Sequence, residues 1–439
     1  MKAMTTNIPT LAIYFPSLEN LGGIERVVEA QTLIFAKHGI HVLLVTEQPV
    51  GKLRPSLENY CRFACLSRES SRKDQWEKII REHRPSLVIL HGAFYAAAME
   101  TAAILRPLPV KTILNIHFSF PTPLYLTGDE GMYDSHLETA RLCDAVAVVS
   151  GTDRRFWTAL GCRAHYVQNP VRHAASAPVP TPPRSRRTLL WLGRPMEPKM
   201  PEEALYIMAE LLPRVPDARL VMAGGHGAES GKLLQLTKAL GISSSVTFIP
   251  EQADVEPLYA EIGIHLLTSQ AESFCLVLAE AKARGIPTVM YDIPYLELLH
   301  NRRGVSVLPY GDRRGMADRI AALMLDEELY ARQSEQARES LLPFNDEAVF
   351  QTWNAIFSDL AGQEAAPEDI REGQQAEEDL RLIVSEMYRA WSYRMEKDLW
   401  KIEFWNNLEK MLGTSAAARL RRWGEALFQR LKKLKRSIK

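Results

Sequence analysis

Residues 263–280 read GIHLLTSQAESFCLVLAE, and this stretch contains the unit from which the fold can be predicted. The apolar run at 264–267 indicates a short strand buried on both faces, because apolar and polar residues do not alternate there. The apolar residues from about 273 onward indicate a helix that runs to about Arg284. A buried strand followed directly by a helix is the repeating unit of parallel α/β folds.

The same unit recurs on both sides of a proline-rich segment. Five prolines lie between positions 170 and 183, where they cannot continue a helix or a central strand, so residues 171–187 are predicted to be a linker. The predicted fold class is therefore α/β, with two Rossmann-like domains, 1–170 and 188–345, that face a cleft. The predicted strands are 11–15, 41–45, 87–90, 111–115 and 145–149, and then 189–192, 219–223, 245–249, 263–267 and 286–290.

No strand is predicted after residue 345. Residues 346–414 are expected to form a helical extension, whose apolar stripe at 377–412 indicates packing on the second domain or on another copy of the chain. The tail, 415–439, contains nine Lys and Arg residues and a single acid, Glu425. Its apolar residues fall on one helical face, so it can lie on an anionic membrane surface. A solvated helix that packs on the protein and an RNA-binding segment are the alternatives.

The composition argues against several classes of protein. The 53 Lys and Arg residues balance 53 Asp and Glu residues, which gives no reason to expect nucleic acid as the main partner. No apolar run is long enough to span a membrane, and the first nine residues lack the features of a secretory signal. The five cysteines form no CxxC pair, so we expect a cytoplasmic protein with reduced thiols.

The loop and helix start after strand 263–267 could hold an anionic ligand. Backbone N–H groups at the beginning of a helix lack acceptors and favour anionic oxygens, such as those of a diphosphate. Glu272 lies just before this helix and Glu280 lies about two turns into it. A capping acid followed by an ordinary helical glutamate is an equally good interpretation of this pair. The residues of the helix start are Ser273, Phe274, Cys275 and Leu276.

Two further loops follow predicted strands. Arg194 and Lys199 come after strand 189–192 and can grip phosphate groups, although basic loop residues are usually solvated. Gly22 and Gly23 follow the first strand, where the absence of Cβ atoms lets the backbone approach a ligand closely. This glycine pair is not the full GxGxxG pattern, so a dinucleotide site is not predicted.

Together these motifs resemble the GT-B-fold retaining glycosyltransferases of family 4, the group 1 glycosyl transferases. The resemblance extends over roughly residues 10–340 and includes the Glu-x7-Glu pattern, the Gly-Arg…Lys pattern and the glycine pair of the first loop. The matching positions are Gly22, Gly23, Gly193, Arg194, Lys199, Glu272 and Glu280. Two departures stand out: Cys275 occupies a position that is usually glycine, and Glu297 lacks the Gly-Gly that often precedes it.

The resemblance implies a role for each residue. Arg194 and Lys199 would neutralise the donor diphosphate, with the helix start at 273–276 as its cradle. Glu280 would bind the ribose hydroxyls, and Glu272 would hold a hydroxyl of the transferred sugar.

On the other side of the cleft, His117 would contact the sugar and the β-phosphate, and Gly22 and Gly23 would pass close to the donor. Backbone atoms near Phe248 would meet the base. His91 is a weaker candidate, and a satisfied loop histidine is the alternative for His117.

The implied reaction moves a sugar from a UDP- or GDP-linked donor to a saccharide or lipid-linked acceptor, as in cell-surface polysaccharide synthesis. Neither a metal nor a cofactor is expected, because the sequence has no Asp-x-Asp motif and cations are available for the diphosphate. The tail would place the enzyme at the inner face of the cell membrane. A catalytically silent GT-B partner subunit and a GT-B-fold sugar-nucleotide epimerase are the alternative functions.

Overall fold

The structure is a computed structural model. It describes residues 10–19, 22–51, 53–92, 96–126, 132–171, 185–225, 228–252, 254–299, 302–362 and 372–396. It contains two parallel β-sheets, one of seven strands and one of six. The predicted fold class is confirmed: two Rossmann-like α/β domains are followed by helices.

The first sheet has the strand order β3-β2-β1-β4-β5-β6-β7. Its strands are β1 (Thr10–Tyr14), β2 (His41–Thr46), β3 (Cys61–Cys65), β4 (Leu87–His91), β5 (Lys111–Asn115), β6 (Ala145–Val148) and β7 (Ala164–Tyr166). Its helices are α1 (Gly23–Lys37), α2 (Arg54–Leu57), α3 (Arg72–His83), α4 (Ala96–Leu105), α5 (Thr122–Tyr125), α6 (Met132–Leu142) and α7 (Gly151–Ala159). The sequence predicted five of these strands and missed β3 and β7, the two edges.

The second sheet has the order β10-β9-β8-β11-β12-β13. Its strands are β8 (Thr188–Leu192), β9 (Arg219–Ala223), β10 (Val246–Ile249), β11 (Ile264–Leu267), β12 (Thr288–Tyr291) and β13 (Val305–Leu308). Its helices are α8 (Pro201–Leu211), α9 (Ala228–Ala239), α10 (Glu256–Glu261), α11 (Leu276–Ala283), α12 (Arg313–Leu325) and α13 (Glu327–Glu339), with short 3-10 turns at Ser243–Ser245, Glu297–Leu299 and Leu342–Phe344.

Both faces of the first sheet are covered. Leu11 and Ile13 pack into the cluster that contains α1 residues, whereas Ala12 and Tyr14 pack into the cluster on the opposite face. Burial of alternate positions on two separate faces leaves no polar side in the central strands. This is why those strands are continuous apolar runs in the sequence.

The helix α14 (Asp346–Leu360) returns from the second domain to the first. The side chain of Asn345 caps it by accepting a hydrogen bond from the N–H of Ala348. Trp353 and Phe357 then pack on Phe35 of α1, with ring centroids 5.8 and 5.6 Å away. The beginning of the predicted helical extension is therefore part of the core of the first domain.

The last described helix, α15 (Glu372–Glu396), contacts both domains. It includes the first part of the apolar stripe predicted at 377–412. Residues 397–414, the basic tail at 415–439 and most of the predicted linker lie outside the described residues. No helix in the described part of the chain is both long and apolar enough to cross a membrane.

Candidate active site

The strand order of each sheet reverses at one point. The chain adds strands on one side of the first strand and then continues on its other side. These points lie between β1 and β4 in the first sheet and between β8 and β11 in the second. The loops after such strands diverge at their carboxyl ends and leave a crevice, which is where open α/β sheets bind ligands. The predicted residues that follow these strands are Gly22 and Gly23 after β1, Arg194 and Lys199 after β8, and Glu272 after β11.

The glycine loop of the first domain meets the start of α11 in the second. A Cβ atom at Gly23 would lie 3.6 Å from Cδ1 of Leu276. At Gly22 a Cβ atom would lie 2.5 Å from Oε2 of Glu25, so this position has no room for a side chain while Glu25 keeps its conformation. The two segments therefore face each other directly across the cleft.

Lys199 and Glu272 are bound to each other. The Nζ atom of Lys199 lies 2.6 and 2.8 Å from the two carboxylate oxygens of Glu272, and the hydroxyl of Ser269 donates to Oε1 at 2.6 Å. Burial opposes the charge on Lys199, but Glu272 outweighs that cost and the pKa of the ammonium is raised. Lys199 is thus charged, and the two side chains hold each other in place before any ligand arrives.

The loops that carry this ion pair are also joined through their backbones. The N–H of Gln270 donates to the carbonyl of Pro198 at 2.9 Å. The hydroxyl of Thr268 contacts the carbonyls of Lys199 and Met200 at 2.9 and 2.8 Å. Because both loops are tied together, a shift of one must move the other.

The helix start at 273–276 combines structural and accessible groups. Phe274 is buried against Phe344, with ring centroids 5.7 Å apart, so only its backbone can meet a ligand. Ser273 is partly exposed. Cys275 is buried and has a φ of +66°, in the left-handed region that favours glycine. Burial, followed by the charge of Glu272, raises the pKa of the Cys275 thiol well above its usual range, so the thiol stays protonated.

Glu280 lies between a tyrosine of its own domain and an arginine of the other. The hydroxyl of Tyr259 donates to Oε2 at 3.0 Å, and Nη1 of Arg26 lies 4.0 Å from Oε1. Burial raises the pKa of Glu280, an effect that Arg26 opposes. The sequence motif contained Arg26, three residues after Gly23, but nothing local indicated that it reaches α11.

Arg194 is exposed at the carboxyl end of β8, and its charge lowers the pKa of Glu25, a carboxyl whose pKa burial raises overall. The backbone beside Arg194 is closely packed. A Cβ atom at Gly224, whose φ is +105°, would lie 2.6 Å from the carbonyl oxygen of Gly193. The end of β9 therefore fixes the strand end from which Arg194 projects.

His117 forms a stacked pair with His91. The rings are nearly parallel, with centroids 4.9 Å apart, and Nδ1 of His91 lies 2.7 Å from Nε2 of His117. Burial lowers the pKa of His117 to about 4. Burial and the neighbouring His117 ring together lower the pKa of His91 well below its usual range. Both rings are therefore neutral at pH 7, and one N–H is shared between them.

Phe248 and Glu297, also named from the sequence, make contacts within the fold. The Phe248 side chain is partly buried and packs against the core of the second domain. Glu297 reaches into the first domain, where it accepts a hydrogen bond from the N–H of Gly151 at the start of α7, at 2.6 Å. Glu297 therefore joins the two domains at the cleft.

Two family profiles match consecutive parts of the chain. The family described as "Glycosyltransferase Family 4" matches residues 21–175, and "Glycosyl transferases group 1" matches residues 176–340. The two matches meet in the predicted linker, so each profile corresponds to one α/β domain.

Known proteins of similar sequence include two from bacteria. N-acetyl-alpha-D-glucosaminyl L-malate synthase of Bacillus anthracis is 33% identical over 180 residues, 40% of this chain and 46% of that protein. An exopolysaccharide phosphotransferase of Streptomyces coelicolor is 29% identical over 286 residues, 63% of this chain and 29% of that protein. The chain thus spans less than half of the length of either relative.

Among solved structures, Anabaena HepE in complex with UDP and glucose has a similar fold. The TM-score is 0.66 at 15% sequence identity, with 80% of this chain and 99% of that chain covered. At this identity the likeness concerns the fold alone, and it extends over both α/β domains.

Proposed function

The chain is a GT4-type glycosyltransferase with the GT-B fold, and we propose that it transfers a sugar with retention of configuration from a UDP- or GDP-linked donor. The observation that carries this proposal is the meeting of the Lys199–Glu272 pair with the start of α11, opposite Gly23. Cations and helix N–H groups suit a diphosphate, and a fixed carboxylate suits sugar hydroxyls.

Each residue takes the part of the donor that its chemistry fits. Arg194 and Lys199 neutralise the diphosphate together with the N–H groups at the start of α11. Glu280 accepts hydrogen bonds from the ribose hydroxyls, and Glu272 accepts one from the transferred sugar. The neutral His117 hydrogen-bonds the sugar rather than acting as a charged group.

The reaction exchanges one C–O bond for another at the anomeric carbon. The acceptor hydroxyl attacks from the face that the diphosphate leaves, the bond to the phosphate oxygen breaks, and the hydroxyl proton passes to that oxygen. Neither Glu272 nor Glu280 forms a covalent bond. The chief contribution of the protein is stabilisation of the leaving group, at about 10²–10³-fold per donor group. We propose that this occurs without a metal, so that EDTA leaves the rate unchanged.

The proposed acceptor is a saccharide or a lipid-linked saccharide of a cell-surface polysaccharide pathway. The Streptomyces relative, whose name refers to exopolysaccharide, supports this choice. The basic tail at 415–439 would hold the enzyme on an anionic membrane. Removal of 415–439 should release the protein from vesicles that contain phosphatidylglycerol and leave donor binding unchanged; vesicle binding that survives the deletion contradicts this role.

A donor screen tests the proposed function. UDP, GDP and their hexose conjugates are added singly, and thermal stabilisation is measured for the wild type and for Arg194→Ala. We expect one nucleotide to stabilise the wild type and the variant to lose most of that effect. Failure of every nucleotide would favour a silent partner subunit, and isomerised free donor in the absence of acceptor would favour an epimerase. Product stereochemistry by NMR then tests retention.

A further inference from the structure

The helix α15 lies outside both sheets and contacts the active-site loops. The guanidinium of Arg389 donates from Nη2 to the carbonyl of Gln270 and from Nη1 to the carbonyl of Asp292, both at 3.0 Å. Gln270 is two residues before Glu272. Ala271, between them, is buried in the same cluster as Ala390 of α15.

The same helix also contacts the loop that carries Lys199. The hydroxyl of Tyr393 lies 3.4 Å from the sulfur of Met200, the residue after Lys199. One helix therefore supports both members of the Lys199–Glu272 pair, through backbone and neighbouring groups rather than through the charged atoms themselves.

On its other side α15 is fixed to the first domain. Asp379 forms an ion pair with Arg155 of α7, and the ring of Tyr393 lies 5.5 Å from that of Tyr125 in α5. The sulfur of Met387 lies 3.7 Å from the hydroxyl of Tyr133 in α6. These contacts link the position of the second-domain loops to the first domain across the cleft.

We propose that α15 is a positioning element of the donor site and that Arg389 is the residue through which it acts. Arg389 fits this role because its planar guanidinium reaches two carbonyls at once, which an ammonium cannot do with the same geometry. Its partner Glu386 is buried beside it and balances its charge. The proposal rests on the transfer reaction proposed above, because it assigns to Arg389 the task of holding Glu272 against the sugar.

The first test separates turnover from nucleotide binding. Arg389→Met should lower kcat by about 10–100-fold, since a displacement of about 1 Å can cost 10²-fold, while the Kd for the donor nucleotide changes less than twofold. Arg389→Lys should recover part of the loss. The control, Arg381→Met, removes an exposed arginine of the same helix and should retain full activity. Normal kcat in Arg389→Met overturns the proposal, as does a parallel loss of nucleotide binding.

Two further measurements keep the test decisive. Arg389→Met leaves Glu386 buried, so Arg389→Met/Glu386→Gln removes both charges and should show the same loss of kcat if folding is retained. Hydrogen exchange in 268–276 should be faster in both variants than in the wild type, whether or not the wild type turns over. If the wild type shows no transfer activity but the variants still exchange faster, the proposed function is contradicted and the positioning contact is supported. Unchanged exchange overturns the contact itself.

Discussion

Lys199 and Glu272 form an ion pair on the second-domain side of the cleft, with Nζ 2.6 Å from Oε1. The Glu272 side chain is only 6% exposed, and that of Lys199 is 29% exposed. A carboxylate this deeply buried depends on its partner, because an unpaired buried charge is strongly unfavourable. Lys199 therefore has a structural as well as a proposed catalytic role, whereas the exposed Arg194 has only the second.

This difference predicts separable effects of two substitutions. Arg194→Met and Lys199→Met should each lower kcat/KM about 100-fold. Only Lys199→Met should also lower the free energy of unfolding, by roughly 3 kcal/mol, because it leaves Glu272 unpaired. Urea unfolding measures the stability, and Lys199→Met/Glu272→Gln should recover much of it. Equal stability of the two single variants would contradict this assignment.

Gly224 should be intolerant of any side chain. Its φ of +105° is unfavourable for alanine, and the new Cβ atom would lie 2.6 Å from the carbonyl oxygen of Gly193. Gly241 is the matched control, because its φ is +68° and no atom lies within 4 Å of the added Cβ. Thermal unfolding should show a loss of about 1–2 kcal/mol for Gly241→Ala from backbone strain alone.

The loss for Gly224→Ala should be clearly larger, and this variant should also lose transfer activity as Arg194 is displaced. Similar stabilities for the two alanine variants would mean that the strand ends can separate at no cost.

The thiol of Cys275 should be inert in the folded protein. It is buried and its pKa is raised, so it forms less thiolate at pH 8 than an ordinary cysteine. Cys65, which is exposed, provides the comparison. Ellman's reagent should label Cys65 within minutes and Cys275 only after denaturation. Rapid labelling of a variant in which Cys61, Cys65, Cys143 and Cys162 are all replaced by serine would contradict the burial of Cys275.

Cys275→Gly should be well tolerated, since glycine adopts a φ of +66° without strain. Cys275→Val should be clearly destabilising, because a β-branched side chain is poorly accommodated at positive φ. Thermal unfolding compares the two, and similar losses would show that the buried volume decides the cost rather than the backbone.

The histidine pair predicts a stability that falls in acid. The pKa of His117 is about 4 in the folded protein, against 6.5 for an ordinary histidine, so the unfolded chain binds more protons between these values. The free energy of unfolding should therefore decrease as the pH is lowered from 6.5 towards 4. His117→Gln should reduce this slope, as urea unfolding at pH 7 and pH 5 would measure. An NMR titration midpoint of His117 near 6.5 would contradict the neutral pair.

The sequence predicted the central strands because they are buried on both faces and therefore continuously apolar. It missed β3, β7 and β13, which all lie at sheet edges and alternate less clearly between core and solvent. A strand such as Ala164–Tyr166 has three residues, all partly exposed, and has no distinct pattern. Burial by the whole sheet, rather than local preference, makes it a strand.

The sequence predicted those candidate-site residues whose type and position in a loop after a strand indicate a chemical role by themselves. Pairings between distant parts of the chain were not predictable, because they depend on how the domains meet. Arg26 reaches Glu280 from the other domain, and Lys37 pairs with Asp346 when α14 returns to α1. The pair of His91 and His117 likewise follows from the neighbouring positions of β4 and β5. The residues that flank His91 and His117 in the sequence do not indicate that the two rings meet.

The contact of Arg26 with Glu280 yields a prediction with opposite signs for two variants. If Glu280 binds the ribose, Glu280→Gln should weaken binding of the donor nucleotide by about tenfold, because a hydrogen bond to a charged group is worth about 1.5–3 kcal/mol. Arg26 competes for the same carboxylate at 4.0 Å. Arg26→Gln should therefore strengthen nucleotide binding by up to about fivefold, the value of a partly exposed ion pair.

Calorimetric titration of UDP and GDP measures both variants, and Arg194→Met is the control that should weaken binding through the diphosphate. If Arg26→Gln weakens binding instead, Arg26 contacts the donor itself, and the first-domain helix α1 contributes a third cation to the diphosphate site. That result would leave the role of Glu280 intact. The sign of the Arg26→Gln effect tells only whether Arg26 competes with the ribose for Glu280 or contacts the donor directly.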